Sequence, residues 1–192
     1  MHGDVPVVGF APAVPATAQL VVRTKPGTRV LYVLLLACTT VVVAAMAGLA
    51  ALVTVLGAAA LPLLVVLPPL AIQLGFTVLV VREYRGLLGP QLAADHRGVW
   101  VRTGLGGRPE VVFLPWTAVD GVDTTRKGPA VRILSRAGEG LYDRRPHWRV
   151  RSLRRRFGTS FVVDGRRAAE PVDRIAHRLH QTAQAARSSL SE

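Results

Sequence analysis

The sequence contains no asparagine and only one cysteine, Cys38, among its 192 residues. A single cysteine excludes an intrachain disulfide, which agrees with a reducing compartment without requiring one. The most extensive absence is that of charge, since Val30 to Val81 is a run of 52 residues without Asp, Glu, Lys, Arg or His. Uncharged runs of more than about 18 residues are typical of membrane helices. The sequence therefore does not describe an ordinary soluble domain.

The apolar run is long enough for two membrane spans. A bilayer core about 30 Å thick is crossed by roughly 20 helical residues. Gly57 is suited to end a first helix, and Pro62 is suited to the first turn of a second, where its missing N–H costs nothing. We predict a transmembrane helical hairpin over residues 29–82, with spans at 30–56 and 61–81. A buried hairpin of a soluble protein is the alternative, and the length of the run disfavours it.

The charges that flank the run predict its orientation. Arg23, Lys25 and Arg29 precede it, Arg82 and Arg85 follow it, and the turn between the two spans has no charge. Arginine is far more frequent than lysine, which together with the missing asparagine is consistent with a GC-rich bacterial genome. Because positively charged flanks remain in the cytoplasm, we predict a multi-pass protein of the bacterial cell membrane with both termini cytoplasmic.

The second half of the chain has the pattern of a basic, strand-rich domain. From Arg82 onward it contains 21 Lys and Arg against 11 Asp and Glu. Short apolar segments between turn residues predict antiparallel strands at 91–95, 98–103, 110–116, 119–125, 130–135 and 160–165. A helix is predicted from Pro171 because the apolar residues that follow share one helical face, namely Val172, Ile175, Ala176, Leu179, Ala183 and Ala186.

These elements predict a membrane-anchored α+β protein. An α+β or barrel-like domain is expected over residues 86–187, with an amphipathic helix at its end. The first 28 residues are rich in Pro, Ala and Val without strong periodicity, and we predict a flexible tail there with one extended piece at 18–23. Residues 188–192 are predicted to form a short C-terminal tail.

Three pairs of residues carry a resemblance to a known family. They are an acidic turn residue with a glycine before a strand, a Pro-Trp pair at the end of the next strand, and two valines beyond it: Asp95 with Gly98, Pro115 with Trp116, and Val119 with Val122. The sequence resembles the bacterial pleckstrin-homology (PH)-like domains that follow two membrane helices in proteins of high-GC bacteria. The resemblance covers residues 30–187 and implies a curved, seven-stranded antiparallel sheet or barrel capped by the C-terminal helix. It implies no catalytic residues, and the arginine-rich insertion at 139–157 departs from it.

Patterns typical of catalysis or of metal binding are weak. No G-x-S-x-G motif is present, and nothing combines a nucleophile with a base and an orienting acid. His177 and His180 lie three apart on the predicted helix but lack further ligands at a suitable spacing. The GLGG stretch at 104–107 lies between two predicted strands, which favours a hairpin turn over a phosphate loop. Trp116, which follows a strand, is predicted to pack at a core edge. We predict no enzymatic activity, no metal and no cofactor.

The arginine-rich insertion is the predicted binding site. Between Glu139 and Phe157 seven arginines stand against two carboxylates, a net charge of +5. The candidate residues are Arg144, Arg145, Trp148, Arg149, Arg151, Arg154, Arg155 and Arg156. A solvated loop and a nucleic-acid-binding segment are alternatives. A basic cluster tethered beside a membrane on its cytoplasmic side matches anionic lipid more directly.

The predicted function is therefore that of a non-catalytic membrane protein. Its cytoplasmic domain is expected to bind an anionic lipid surface, a membrane protein partner, or both. A regulatory subunit of a transporter or of a cell-envelope complex is the first alternative. A membrane-tethered nucleic-acid-binding protein is the second, although no recognition motif for nucleic acid is present. An undetected membrane enzyme is the last.

Overall fold

A computed structural model of the chain describes residues 7–55, 60–103, 110–125, 128–143 and 148–189. The strands are β1 (Gly9–Ala11), β2 (Leu20–Arg23), β3 (Pro90–Ala94), β4 (Gly98–Arg102), β5 (Val111–Pro115), β6 (Gly121–Thr124), β7 (Ala130–Leu134) and β8 (Phe161–Asp164). The α-helices are α1 (Pro26–Val55), α2 (Ala60–Leu87), α3 (Arg136–Gly140), α4 (Trp148–Phe157) and α5 (Val172–Ser189), and a short 3-10 helix covers Trp116–Ala118. The fold is thus α+β with antiparallel sheets.

The apolar run forms two long helices, α1 and α2, that pack against each other. The last residue of α1 and the first residue of α2 agree with the predicted spans within one residue, but α1 begins at Pro26, four residues earlier than predicted, and α2 continues past Val81 to Leu87. The predicted end was placed at the first charge, Arg82, and is therefore too early. Charge ends an apolar run but not a helix, since arginine and glutamate are good helix formers.

Among the described residues, α1 is the helix that is long and apolar enough to cross a membrane. Its most apolar 18-residue window has a mean hydropathy of 2.5 and is 6% buried. The core helix of a soluble protein would be mostly buried, and α1 instead exposes large side chains such as Leu31 and Val41. Cys38 lies on this exposed surface.

The segment before α1 belongs to the sheet. Strand β2 pairs with β3, β1 pairs with β5, and the sheet order is β1-β5-β4-β3-β2. The prediction of a flexible tail over residues 1–28 is corrected for its described part, 7–28, because Leu20 and Val22 are each only 1% exposed in the core. The extended piece expected at 18–23 corresponds to β2. Strands of three or four residues carry little periodic signal, so that sequence alone did not reveal their pairing.

The helix pair is consequently an insertion between two neighbouring strands. Leu20 of β2 lies opposite Ala94 of β3, although the whole of α1 and α2 separates them in the chain. The start of α1 is held by the segment after β8: the Lys25 amide donates to the Arg167 carbonyl over 2.7 Å, and the Ala169 amide donates to the Arg23 carbonyl over 2.8 Å. Both ends of the helix pair are therefore joined directly to the domain.

The second sheet has the order β6-β7-β8, and α5 packs on β6, β7 and β2. One hydrophobic core includes residues of both sheets and the predicted apolar face of α5. Ile175 and Leu179 are fully buried there, which confirms that face. Each of the six strands predicted from the second half is present within one or two residues of its predicted bounds.

Four of the residues that carry the family resemblance, Asp95, Gly98, Pro115 and Trp116, lie together around one turn. The Trp116 side chain is 2% exposed, and its Nε1 donates to the Asp95 carbonyl over 2.7 Å. The Asp95 carboxylate accepts hydrogen bonds from the Arg97 and Gly98 amides at 2.7 and 3.3 Å. A Cβ at Gly98 would collide with the backbone of Leu114 and Pro115, so glycine is required there. The predicted structural role of Trp116 is confirmed.

Candidate anion-binding surface

The arginine-rich insertion at 139–157 begins at the end of α3 and includes the whole of α4. Helix α3 is capped by the Ser135 hydroxyl, which accepts a hydrogen bond from the Gly138 amide over 3.0 Å. Helix α4 contains six of the eight predicted site residues, from Trp148 to Arg156. The other two, Arg144 and Arg145, lie outside the described residues.

The sequence explains why α4 forms and where it ends. Arginine and leucine are good helix formers, and Val150, which is 3% exposed, anchors the helix on the core. Gly158 has a φ of 79°, a left-handed conformation that closes helices, and its amide donates to the Arg154 carbonyl. The Arg132 side chain donates to the Phe157 carbonyl over 3.2 Å. A positive charge at this position is also stabilised by the negative end of the helix dipole.

Arg154 is directed inward and holds the insertion together. Its Nε donates to a carboxylate oxygen of Glu139, and its Nη2 donates to the Glu139 carbonyl. The other carboxylate oxygen of Glu139 accepts hydrogen bonds from the Thr159 hydroxyl and from the amide and hydroxyl of Ser160 at 2.6–2.9 Å. Arg154 also lies 3.6 Å from the Asp143 carboxylate. Glu139 therefore joins α3, α4 and the start of β8, and Arg154 serves the fold.

The exposed face of α4 has a basic and aromatic surface that we call the outer stripe. It lines a shallow groove and consists of Trp148, Arg151, Ser152, Arg155 and Arg156. These residues are three or four apart and therefore share one helical face. Trp148 is 66% exposed, and the Arg156 guanidinium lies 5.0 Å from the centre of the Phe157 ring.

The opposite side of α4 borders a cavity of about 340 Å³, which we call the arginine cavity. Five arginines line it: Arg102, Arg149, Arg156, Arg166 and Arg167. Burial lowers the pKa of Arg149, and the negative charge of Glu83 partly offsets this effect. Burial likewise lowers the pKa of Arg102, whose Nη1 donates to the Leu88 carbonyl over 2.7 Å. Arg149, a predicted site residue, thus lies on a different side from Arg151 and Arg155.

The arginine cavity lies beside the charged ends of the helix pair. Tyr32 of α1 and Glu83 of α2 form part of its wall, together with Leu153 and Phe157 of α4. Glu83 is 3.5 Å from Arg167, which connects the end of α2 to the segment after β8. Helix α4 is therefore held next to the point where the helix pair joins the domain.

Sequence reasoning missed the residues that organise this region. Glu139 contributed to the prediction only as a negative charge, and Arg102, Arg166 and Arg167 lie outside the 139–157 cluster in the chain. No local signal marks them, because each acquires its role from a partner on another element. Arg167 illustrates this, since it contacts Glu83 of α2 and Asp164 at the end of β8.

The remaining candidates have local partners or lie outside the described residues. The His177 ring is 2.9 Å from the Gln181 amide nitrogen, and the His180 ring is 2.9 Å from the Ala176 carbonyl. No group of three His, Cys, Asp or Glu side chains comes together in the part of the chain that the structure describes. The GLGG stretch falls in 104–109, which lies outside it.

Comparison of the chain with protein-family models, with curated proteins and with solved structures found no match.

Proposed function

We propose that this chain is a non-catalytic membrane protein whose domain binds the anionic cytoplasmic leaflet through the outer stripe of α4. The observation that carries the proposal is that α4, which bears this basic and aromatic face, is held beside the charged ends of the helix pair. Anionic lipids attract basic residues within about a Debye length, roughly 8 Å, of the surface. Trp148 adds an aromatic side chain of the kind enriched at membrane interfaces.

The proposal includes α2 as a second membrane span, with both termini in the cytoplasm. In support, α2 exposes large apolar side chains along its described part, including Leu67, Ile72, Phe76 and Leu79 at 45–74% exposure. The connection between α1 and α2 is only residues 56–59, so the two helices can form one hairpin. The arginines at the outer ends of the pair and the uncharged connection favour this orientation.

The proposal also includes a PH-like domain. In support, antiparallel strands in two sheets are followed by the covering helix α5. The seven strands that the resemblance implies are reached when β2 is counted with the strands that follow the helix pair. Six of these strands follow the helix pair, and the seventh, β2, precedes it. Trp116 and Asp95, two of the residues on which the resemblance depends, are joined by a hydrogen bond and together stabilise the turn before β4. Strand β1 and helix α4 are additions to that pattern.

The expected role of the outer stripe is orientation rather than recruitment. Each of its three arginines contributes at most about 1 kcal/mol near an anionic surface. Two membrane helices already anchor the chain far more strongly. A preference of about 1.4 kcal/mol changes a two-state balance tenfold, so the stripe is sufficient to select which side of the domain faces the bilayer.

Hydrogen exchange of the full-length protein in nanodiscs tests the proposal. We expect exchange over residues 148–157 to slow by about tenfold or more when anionic lipid replaces zwitterionic lipid, and to recover at high salt. The variant with Arg151, Arg155 and Arg156 all changed to Gln should lose this response. Arg154 is left intact because it binds Glu139.

A charge-matched variant provides the control. Arg97→Gln, Arg136→Gln and Arg174→Gln together remove three exposed arginines elsewhere on the domain. This variant should keep the response to lipid charge. Equal loss in both variants would indicate a general charge effect, and exchange that ignores lipid charge in the wild-type protein would reject the proposal.

Binding of a membrane protein partner is the second candidate function, and an exposed aromatic surface at the edge of the first sheet favours it. Phe10 on the edge strand β1 is 46% exposed, beside the Trp100–Phe113 pair, whose ring centres are 4.6 Å apart. These three aromatic residues line one open hollow. Exposed aromatic residues are enriched at protein interfaces. A photo-crosslinker at position 10 should capture one partner in cells, and the same crosslinker at the exposed position 174 should not.

A further inference from the structure

We infer that the arginine cavity is a discrete binding site for one phosphate-bearing anion. This goes beyond the proposed contact with a lipid surface, because the cavity lies on the other side of α4 from Arg151 and Arg155, whereas Arg156 lies at the border and lines both surfaces. Its volume of about 340 Å³ falls within the range of small-molecule sites, about 300–1,000 Å³. The five arginines come from β4, from α4 and from the turn after β8, so the site exists only in the folded chain.

Charge in the cavity favours an anion. Five arginines and two carboxylates line it, which leaves a net charge of +3. The two carboxylates, Glu83 and Asp164, both lie against Arg167, at 3.5 and 3.8 Å. The acidic charge is therefore concentrated at one wall. A concave surface lined by one sign of charge focuses its field on a ligand of the opposite sign.

The chemistry of the arginines favours phosphate. A guanidinium group presents a planar fork of N–H donors that matches the oxygens of phosphate and binds two of them at once. Arg102 reaches the cavity from the end of β4, Arg149 from α4, and Arg166 from the turn after β8. Donors from three directions can surround a tetrahedral anion, which a row of arginines on one helix cannot do. Arg102 and Arg149 are also partly withdrawn from water, and this strengthens their interaction with an anion.

Two sources of phosphate fit the surroundings. Tyr32 forms part of the cavity wall, and the exposed apolar side chains Leu31 and Leu35 lie next to it on α1. An acyl chain attached to a bound head group could follow that surface. Arg166, on the other hand, is exposed to solvent, so that a soluble phosphate can also enter. The phosphate group is common to both sources, and experiment separates them.

The test uses the full-length protein and two probes. Native mass spectrometry in neutral detergent measures binding of phosphatidylglycerol, and isothermal titration calorimetry measures binding of inorganic pyrophosphate. We expect saturable binding of one equivalent of at least one probe. The double variant Arg149→Gln and Arg166→Gln should weaken it about tenfold or more, because charge-assisted hydrogen bonds are lost. The matched double variant Arg151→Gln and Arg155→Gln on the outer stripe should change it less than about twofold.

Because Arg149 is half-buried, the glutamine variant could lose binding through misfolding, and a second pair of substitutions separates that effect from loss of the arginines. Arg149→Lys with Arg166→Lys keeps both charges, and we expect an intermediate loss because an ammonium group cannot form the bidentate contact. If the glutamine variant fails to give the wild-type circular dichroism spectrum, Arg166→Gln alone replaces it, with a smaller loss expected.

The outcomes separate the sources and the two proposals. Saturable binding of the lipid but not of pyrophosphate identifies a head group as the ligand, and the reverse identifies a soluble anion. Binding of neither probe, or equal weakening by the cavity and outer-stripe variants, would overturn the inference. That result would leave the proposed surface contact standing if exchange over 148–157 still depended on lipid charge. If exchange over 148–157 in the wild-type protein does not depend on lipid charge but the cavity still binds a probe, only the proposed surface contact is rejected.

Discussion

The helix pair and α4 are the two compositional extremes of this chain, and composition predicts their surroundings to different extents. Helix α1 is apolar around its circumference and exposes large hydrophobic side chains over most of its length. Neighbouring arginines of α4 differ, because Arg154 binds Glu139 whereas Arg155 is exposed. When a helix has the same kind of residue on every side, its composition is enough to predict the surroundings of all its side chains. A helix with the same residue type on several sides depends on what packs against each side.

The largest expected effect comes from breaking the uniformity of α1. Val42 lies near the middle of α1 and is 44% exposed. Val42→Arg would place a charge near the bilayer centre at a cost of about 3 kcal/mol. We expect a clear fall in the membrane-inserted fraction, measured by flotation with liposomes after cell-free synthesis. Val42→Leu should insert like the wild-type protein. Equal insertion of both variants would mean that α1 does not cross a membrane.

Glu139→Ala should have the next largest effect, since it removes the partner that directs Arg154 inward. The buried amide and hydroxyl of Ser160 donate to Glu139 and would lose this acceptor, whereas the Thr159 hydroxyl retains the Ile133 carbonyl at 2.9 Å. Unmet buried donors cost about 1–3 kcal/mol. We expect a loss of this size in the free energy of unfolding, measured by denaturant titration in detergent. The control is Asp143→Ala, whose carboxylate is 71% exposed and 3.6 Å from Arg154, with an effect below about 0.5 kcal/mol.

The same titration sharpens the contrast between adjacent arginines. Arg154→Gln should destabilise the fold measurably, and Arg155→Gln should leave the free energy of unfolding within about 0.5 kcal/mol of the wild-type value. Equal destabilisation by both substitutions would contradict the division of α4 into an inward and an outward side.

The smallest expected effect concerns Tyr142, which follows α3. Burial raises the pKa of its phenol to about 12, although the hydrogen bond with Thr103 acts in the opposite direction. Because the pKa is raised in the folded state, stability is complete below the unfolded pKa of about 10 and declines as the pH rises towards 12. The loss is about 1.4 kcal/mol between pH 9 and pH 11.

Unfolding midpoints at pH 9, 10 and 11 measure this loss. Tyr142→Phe serves as the control, because it removes the titrating group along with the Thr103 hydrogen bond. It should lower stability at pH 9, where the wild-type phenol is neutral, and make the curve flatter above pH 10. A wild-type curve as flat as that of the variant would show that the Tyr142 phenol is not held neutral by the fold.

The sequence predicted the elements that have a clear local period or a clear composition. Alternation of Val99 and Val101 with Trp100 and Arg102 predicted β4. The spacing of Ile175 and Leu179 predicted the buried face of α5. It did not predict that β1 and β2 join the sheet, because strands of three and four residues have almost no periodic signal. For the site, it identified the cluster of arginines but not their division between the outer stripe and the arginine cavity.

What the sequence determined by itself is therefore the kind of each main element: an apolar helix pair, short alternating strands and an amphipathic final helix. These depend on neighbours within a few residues, since helix and strand periods are local properties of the backbone. Only the tertiary structure decided that β2 and β3 pair across the whole helix pair, and that Glu139 withdraws Arg154 from a row of similar residues. Both outcomes depend on partners that are distant or unmarked in the chain. Such contacts form only when the burial of many groups together offsets the entropy of bringing them into place.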